Sequence, residues 1–335
     1  MLSLPEFYSP QSPGTVYRVN YAELSAQASA YRSKYGLAPA SADKQKNWLL
    51  LIDLQNTFCT PGFELFVAGR SGTAAVDDNR RLCEFIYHNL AAITHISATL
   101  DTHAAMQIFH PLFFVNAAGE HPDPYTDIHL DDLLKNRWFF NPALAPQFGI
   151  TPAYGQKMAI HYARSLSKKG KYALTIWPYH AMLGGIGHAL VSAVEEALFF
   201  HSIARLSQAE FEIKGNKPFT ENYSVIGPEV LRGPRGERLG LHNPKFIQQL
   251  KNVDRLIISG QAKSHCVAWT VADLLEDIQK TDPTLADKVY LLEDCCSPVV
   301  VPGVVDHSAA ADLAFAKFAS QGIHLVRSVD ALETW

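Results

Sequence analysis

The chain has 335 residues, 47 % of them hydrophobic, enough to bury a large core as one elaborated α/β domain or as two domains. Its formal net charge of −4, with acidic and basic residues spread evenly, excludes the electrostatic footprint of a nucleic-acid or anionic-membrane binder and points to a small-molecule partner. No apolar run approaches the roughly 20 residues that cross a bilayer, and five cysteines, an odd number without a C-x-x-C pair, argue against a disulfide framework.

The N-terminal stretch "MLSLPEFYSPQSPGTVYRVN" has no basic start followed by an apolar core and a small-residue cleavage site, so no secretion leader is read and a cytoplasmic protein is expected. A Tyr/Ala/Ser-rich helical pattern covers 21–35, and residues 1–45 are taken as an N-terminal extension of a main domain over 46–335. Six β-branched-rich runs then follow: 47–53, 93–101, 209–214, 253–260, 288–294 and 322–328. Helical spacing fills roughly 73–92, 186–206, 265–280 and 306–321. Strands alternating with helices imply right-handed crossovers and a mostly parallel, doubly wound sheet covered on both faces, a three-layer α/β/α architecture. The segment from about 104 to 175, rich in Pro, Asn and aromatics, breaks the alternation and is read as an insertion bearing on the site. Residues 217–240 form a further long, turn-rich connection.

In such a sheet, ligands bind beyond the carboxyl ends of the strands. The first strand ends at Asp53, the second at Asp101 and His103, the third at Lys214, and the fourth in the loop "GQAKSHC" that carries Cys266. One Asp at a strand end is ordinarily a turn or cap residue. Four consecutive strands delivering carboxylate, carboxylate with imidazole, ammonium and thiol to one sheet edge are the stronger signal. A thiol at the start of the following helix, read as Cys266 to Ile278, feels unpaired N–H groups that favour thiolate, with Asp53 as a base and Lys214 as a cation. Backbone N–H groups near Ala262 and Cys266 are placed to receive an oxyanion. Lys263 and His265 are read as bracing the loop, and Cys295 and Cys296 as packing residues.

These residues resemble the nicotinamidase/isochorismatase-like cysteine hydrolases. "LLLIDLQNTFC" looks like their first-strand motif, "FEIKG" their lysine motif and "ISGQAKSHCVAWTVADL" their nucleophile motif, over most of 46–330. The resemblance implies a catalytic triad of Asp53, Lys214 and Cys266, and an oxyanion loop of Gln261, Ala262 and Cys266 with a cis peptide at Gln261–Ala262. "TLDTH" and "IWPYH" are similar to the metal motif of the nicotinamidase-like branch, which implies a divalent ion, expected to be Zn²⁺, on Asp101, His103 and His180. The chain departs from that motif in having Ala181 after His180 and in placing His180 79 residues after Asp101. Phe58 and His110 are candidate pocket residues, His110 also a candidate fourth ligand, and Trp138 a second aromatic that could flank a planar ring.

The resemblance thus implies an amidohydrolase that releases ammonia from nicotinamide or a related small amide through a cysteine thioester, acting as a homo-oligomer. Hydrolysis of a ureido or carbamoyl compound, a zinc-hydroxide hydrolase independent of Cys266, and a non-catalytic metabolite binder on the same fold are the competing readings.

Overall fold

Strand β1, Asn47–Ile52, is buried at all six positions, as a strand with helices on both faces must be. Around it lie β2 (Ile93–Asp101), β3 (Glu210–Lys214), β4 (Arg255–Gly260), β5 (Val289–Leu292) and β6 (His324–Val326), in the order β6-β5-β4-β1-β2-β3. The pairings β6 with β5, β5 with β4, β4 with β1 and β1 with β2 are all parallel. The chain therefore winds outward from β1 through β2 to β3, then restarts on the other side of β1 at β4. The strand order reverses between β1 and β4, and the crevice beyond that switch point is where this architecture places its ligand chemistry.

The computed structural model describes residues 1–169, 173–330, 332 and 335. Residues 170–172, inside the segment read as an insertion, lie outside that description, as do 331, 333 and 334 near the end of the main domain. The chain forms two units: Met1–Leu100, Ile186–Ile213 and Pro244–Trp335 in the first, Asp101–Gly185 and Lys214–Asn243 in the second.

In the first unit, α1 (Tyr21–Tyr35) is capped by the Asn20 side chain, which accepts from Glu23 N, and stops at Gly36 in the left-handed region. A short α2 (Asn56–Cys59) follows β1, and α3 (Ala74–His88) leads to β2. The two longer helices α1 and α3 pack on α6 (Ser192–Arg205) to make one helical layer. The other layer is α7 (Lys245–Lys251), α8 (Ala268–Thr281) and α9 (Ser308–Ala319), with α8 touching both neighbours. The first 45 residues are tied to this unit by Tyr17, whose hydroxyl donates to Glu196 Oε2 at 2.9 Å, and by Arg205, whose guanidinium donates to Ala38 O and to both Asp43 oxygens.

The second unit contains α4 (Leu130–Leu134), α5 (Pro152–Lys169) and short antiparallel pairs, Phe114–Val115 with Phe139–Phe140 and Asp127–Ile128 with Leu174–Thr175. Phe113 is its aromatic centre, with ring contacts to Phe114, Phe140, Phe148 and Phe219. The 18-residue α5 is a regular helix inside the segment of about 104–175 that the sequence marks as an insertion. Its buried Met158, Ala159, Tyr162, Ala163 and Leu166 carry the i, i+4 spacing of a core-facing helix.

Candidate active site

In the first unit, the ends of β1 and β4 are pressed together by a missing side chain. A Cβ on Gly260 would lie 2.0 Å from Ile52 O, and the residue's φ of +139° suits only glycine. Gln261 N then donates to Ile52 O at 2.8 Å, so the loop leaving β4 starts beside the residue that follows β1. That residue is Asp53, fully buried at φ +51°. Its N–H donates to Thr99 Oγ1 at 3.0 Å, and the Thr99 hydroxyl donates back to Asp53 Oδ1 at 2.5 Å, which fixes the carboxylate against β2.

The Gln261–Ala262 peptide is cis. Lys263–Val267 form a π-helical turn before α8 begins at Ala268, so Cys266 sits in that turn and not, as the sequence suggested, at the first residue of the helix. A π-turn widens the backbone just where a residue is to be presented to a ligand. Ala262 O accepts from His265 N at 3.0 Å and from Val267 N at 3.2 Å, closing the turn. Lys263 is spent on bracing: its ammonium pairs with Asp312 at 2.7 Å and lies over the Phe315 ring. Burial first, then His307, pushes the His265 imidazole down to about 3, leaving it neutral at pH 7. The thiols of Cys59, Cys83, Cys295 and Cys296 are pushed up by burial and stay protonated packing groups. Phe58 is buried in α2.

In the second unit, Asp101, His103 and His180 place a carboxylate oxygen and two ring nitrogens within 4.8 Å of one another. His103 Nδ1 donates to Gly215 O at 3.1 Å, and its Nε2 faces Asp101 Oδ2 at 2.8 Å. His180 Nδ1 donates to Pro178 O at 2.8 Å, with its Nε2 turned to the same Asp101 oxygen at 3.8 Å. In each ring a backbone carbonyl engages Nδ1 and turns Nε2 toward the Asp101 carboxylate, the arrangement by which protein shells orient metal-binding histidines. The donor set fits a divalent ion such as zinc. Burial, followed by His103, lowers the pKa of His180 against the pull of Asp101, which keeps the ring neutral. Burial works to raise Asp101, but His103 and Lys214 outweigh it and hold the carboxyl well below its usual range.

Lys214, also buried, donates to Asn222 O at 2.9 Å and pairs with Asp101 Oδ1 at 3.1 Å. His110 is fully buried, with its ring centroid 5.9 Å from those of both His103 and His180. Burial, His180 and His103 together push it down to about 3. Trp138 lies in this unit, partly exposed, outside the histidine cluster.

No family model matches the chain. Over 255 residues it is 26 % identical to the nicotinamidase of Escherichia coli strain K12, spanning 75 % of this chain and 83 % of that protein. Among solved structures, the nicotinamidase/pyrazinamidase of Acinetobacter baumanii overlays with a TM-score of 0.50 at 17 % identity, covering 86 % of this chain and 99 % of that one. The yeast nicotinamidase bound to the inhibitor nicotinaldehyde gives 0.51 at 15 % identity, over 84 % and 99 %. The chain is thus similar in sequence to a nicotinamidase and shares the fold of the solved nicotinamidases.

The sequence singles out candidate reactive groups but not the residues that orient them. Gln107 is one: its Nε2 donates to Gly215 O and Lys217 O, and its Oε1 accepts from Ala104 N, so it ties the His103 strand end to the Lys214 strand end. Thr99 is another, through its paired bonds to Asp53. Thr99 stands two residues before Asp101 on β2, so its side chain follows from strand periodicity, while the Gln107 contacts had no sequence signal.

Proposed function

We propose that the protein is an amidohydrolase that converts a small amide, nicotinamide or a close relative, to the acid and ammonia. The observation that carries this reading is the buried Asp101, His103 and His180 cluster, whose imidazoles are turned by Gly215 O and Pro178 O so that both Nε2 atoms converge with the Asp101 carboxylate. The similarity to the Escherichia coli nicotinamidase supports the substrate class. In this reading residues 46–335 are the hydrolase domain, 1–45 an extension and about 104–175 an insertion, and the protein acts in the cytoplasm as a homo-oligomer.

Asp53 accepts the Cys266 thiol proton, and the thiolate attacks the amide carbonyl carbon. The Ala262 and Cys266 N–H groups receive the oxyanion, and Lys214 balances the negative charge of the site. Asp53 returns its proton to the nitrogen as the C–N bond breaks, which leaves a thioester on Cys266 and frees ammonia. Asp53 then takes a proton from water as the water attacks the thioester, and the acid departs with the thiol restored. A divalent ion on Asp101, His103 and His180, zinc in this reading, supplies a Lewis-acid site for a ring nitrogen or water. Phe58 and His110 are assigned to the pocket that receives the ring.

Ammonia release from nicotinamide and a panel of related amides tests this directly. Replacing the nucleophile in Cys266→Ala is expected to lower the rate at least about a thousandfold, and chelation of divalent ions is expected to lower it as well. A Cys266→Ala protein that kept full activity yet lost it on chelation would replace this mechanism with a metal-bound hydroxide.

A further inference from the structure

The loop before Cys266 is gripped by a buried polar network that the chemistry above does not use. Asp78, on α3, is 2 % exposed. Its Oδ1 accepts from Arg81 Nη2 at 2.7 Å and its Oδ2 from Gln261 Nε2 at 2.8 Å. Gln261 is fully buried, and its Oε1 accepts from Ser297 N at 3.4 Å. Ser297 O in turn accepts from Lys263 N at 2.8 Å, and Arg81 Nε donates to Asp294 O, which ties α3 to the segment after β5. Gln261 is therefore held at three points: its backbone N–H by β1, its side-chain amide nitrogen by α3, and its side-chain oxygen by Ser297.

Burying the Asp78 carboxylate, with a partly exposed guanidinium as its ion partner, is rarely a gain in stability over apolar packing. What such a network yields is placement. The carbonyl carbon of Gln261 is bonded to the Ala262 nitrogen, so with Gln261 held at three points the Ala262 N–H has one direction. Oxyanion donors act only when aimed at the developing charge, and a misplacement of about 1 Å is worth on the order of a hundredfold in rate.

We propose that Asp78 is a positioning residue for amide hydrolysis: together with Arg81 it fixes the Gln261 side chain and, through it, the Ala262 N–H that receives the oxyanion. The inference rests on the reading of Cys266 as nucleophile.

Both partners of Asp78 are donors, so Asp78→Asn, with one acceptor and one donor, must set one of them donor against donor. Gln261→Glu sets two carboxylates together. The double variant Asp78→Asn/Gln261→Glu restores the pairing with polarity reversed: the new amide donates to the new carboxylate, its oxygen still accepts from Arg81, and Ser297 N still donates to position 261. Two rates are to be measured on each: kcat for ammonia release, and alkylation of Cys266 by iodoacetamide. Alkylation displaces iodide without forming an oxyanion, so it reads the thiolate and not the donors.

Each single variant is expected to lose about 10- to 100-fold in kcat while alkylation stays within about twofold of wild type. The double variant is expected to recover to within about fivefold of the wild-type kcat. The proposal is overturned if the single variants keep wild-type kcat, if kcat and alkylation fall together, or if the double variant is no better than the singles. Should Asp78→Asn not fold, Gln261→Met, which leaves the Asp78 pair with Arg81 intact, carries the same comparison of two rates. Activity retained by Cys266→Ala would instead remove the reading beneath the proposal, so the two failures are distinct.

Discussion

A Cβ on Gly215 would come within 2.5 Å of Asp101 Oδ1 and 2.8 Å of His103 Cε1, at a φ of +84° that side chains avoid. The glycine after Lys214 is therefore part of the histidine cluster, both by the room it leaves and by its carbonyl, which orients His103. Gly215→Ala is expected to weaken divalent-ion binding about 10- to 100-fold, the usual consequence of disturbing an orienting shell, as read by competition with a chromophoric zinc chelator. Unchanged affinity would show that the cluster tolerates a shifted His103. The reactive residue types at strand ends could be read from the chain, because side-chain chemistry is a property of the residue. Which carbonyl turns His103 could not, since Gly215 and His103 meet only after two strands have been brought side by side.

At the scale of elements, the six strand runs and α1 were legible because apolar periodicity and punctuating turn residues mark them locally. Helix α5 was not read, although Met158, Tyr162 and Leu166 repeat every four residues. The Pro- and aromatic-rich sequence ahead of it masked the period. One of the ties on the extension around α1 is a buried cation from another element, Arg205 at the end of α6. Arg205→Met would remove the ion partner of the largely buried Asp43 carboxylate, which keeps its bond from Thr94, and unfolding free energy from urea titration is expected to drop by about 1 to 3 kcal/mol. Because this strap lies on α6 and not on the strand ends, kcat per folded molecule should be unaltered. A loss of activity without loss of stability would reverse that assignment.

For the whole molecule, buried neutral histidines make stability depend on pH. Burial is the main reason that His201, whose Nε2 donates to Ile93 O, is pushed down to about 4, and that His265 is pushed down to about 3. In the unfolded chain an imidazole takes up its proton near about 6.5. Below that pH the unfolded state binds protons the folded state refuses, so unfolding free energy falls as the solution is acidified, and the His201 contribution levels off near pH 4. A gap of two to three pH units corresponds to about 3 kcal/mol for His201 alone. Denaturation curves collected from pH 4 to pH 8 should show this slope, and His201→Gln should flatten it; a variant as steep as wild type would assign the slope to other groups.

Strand and helix runs, the doubly wound sheet class and the candidate residue types at four strand ends follow from local pattern, because burial on both faces demands continuous apolar strands and because a strand end is where a polar residue can first appear. The reversal of strand order between β1 and β4 was implied only in general terms; its atomic expression, the Gly260 contact with Ile52 O, needed the two strands in register. The same holds for the grip of Asp78 on Gln261, 183 residues apart in sequence, and for the two carbonyls that turn His103 and His180. Polar contacts between distant segments leave no periodicity in a chain, so tertiary structure alone decides them.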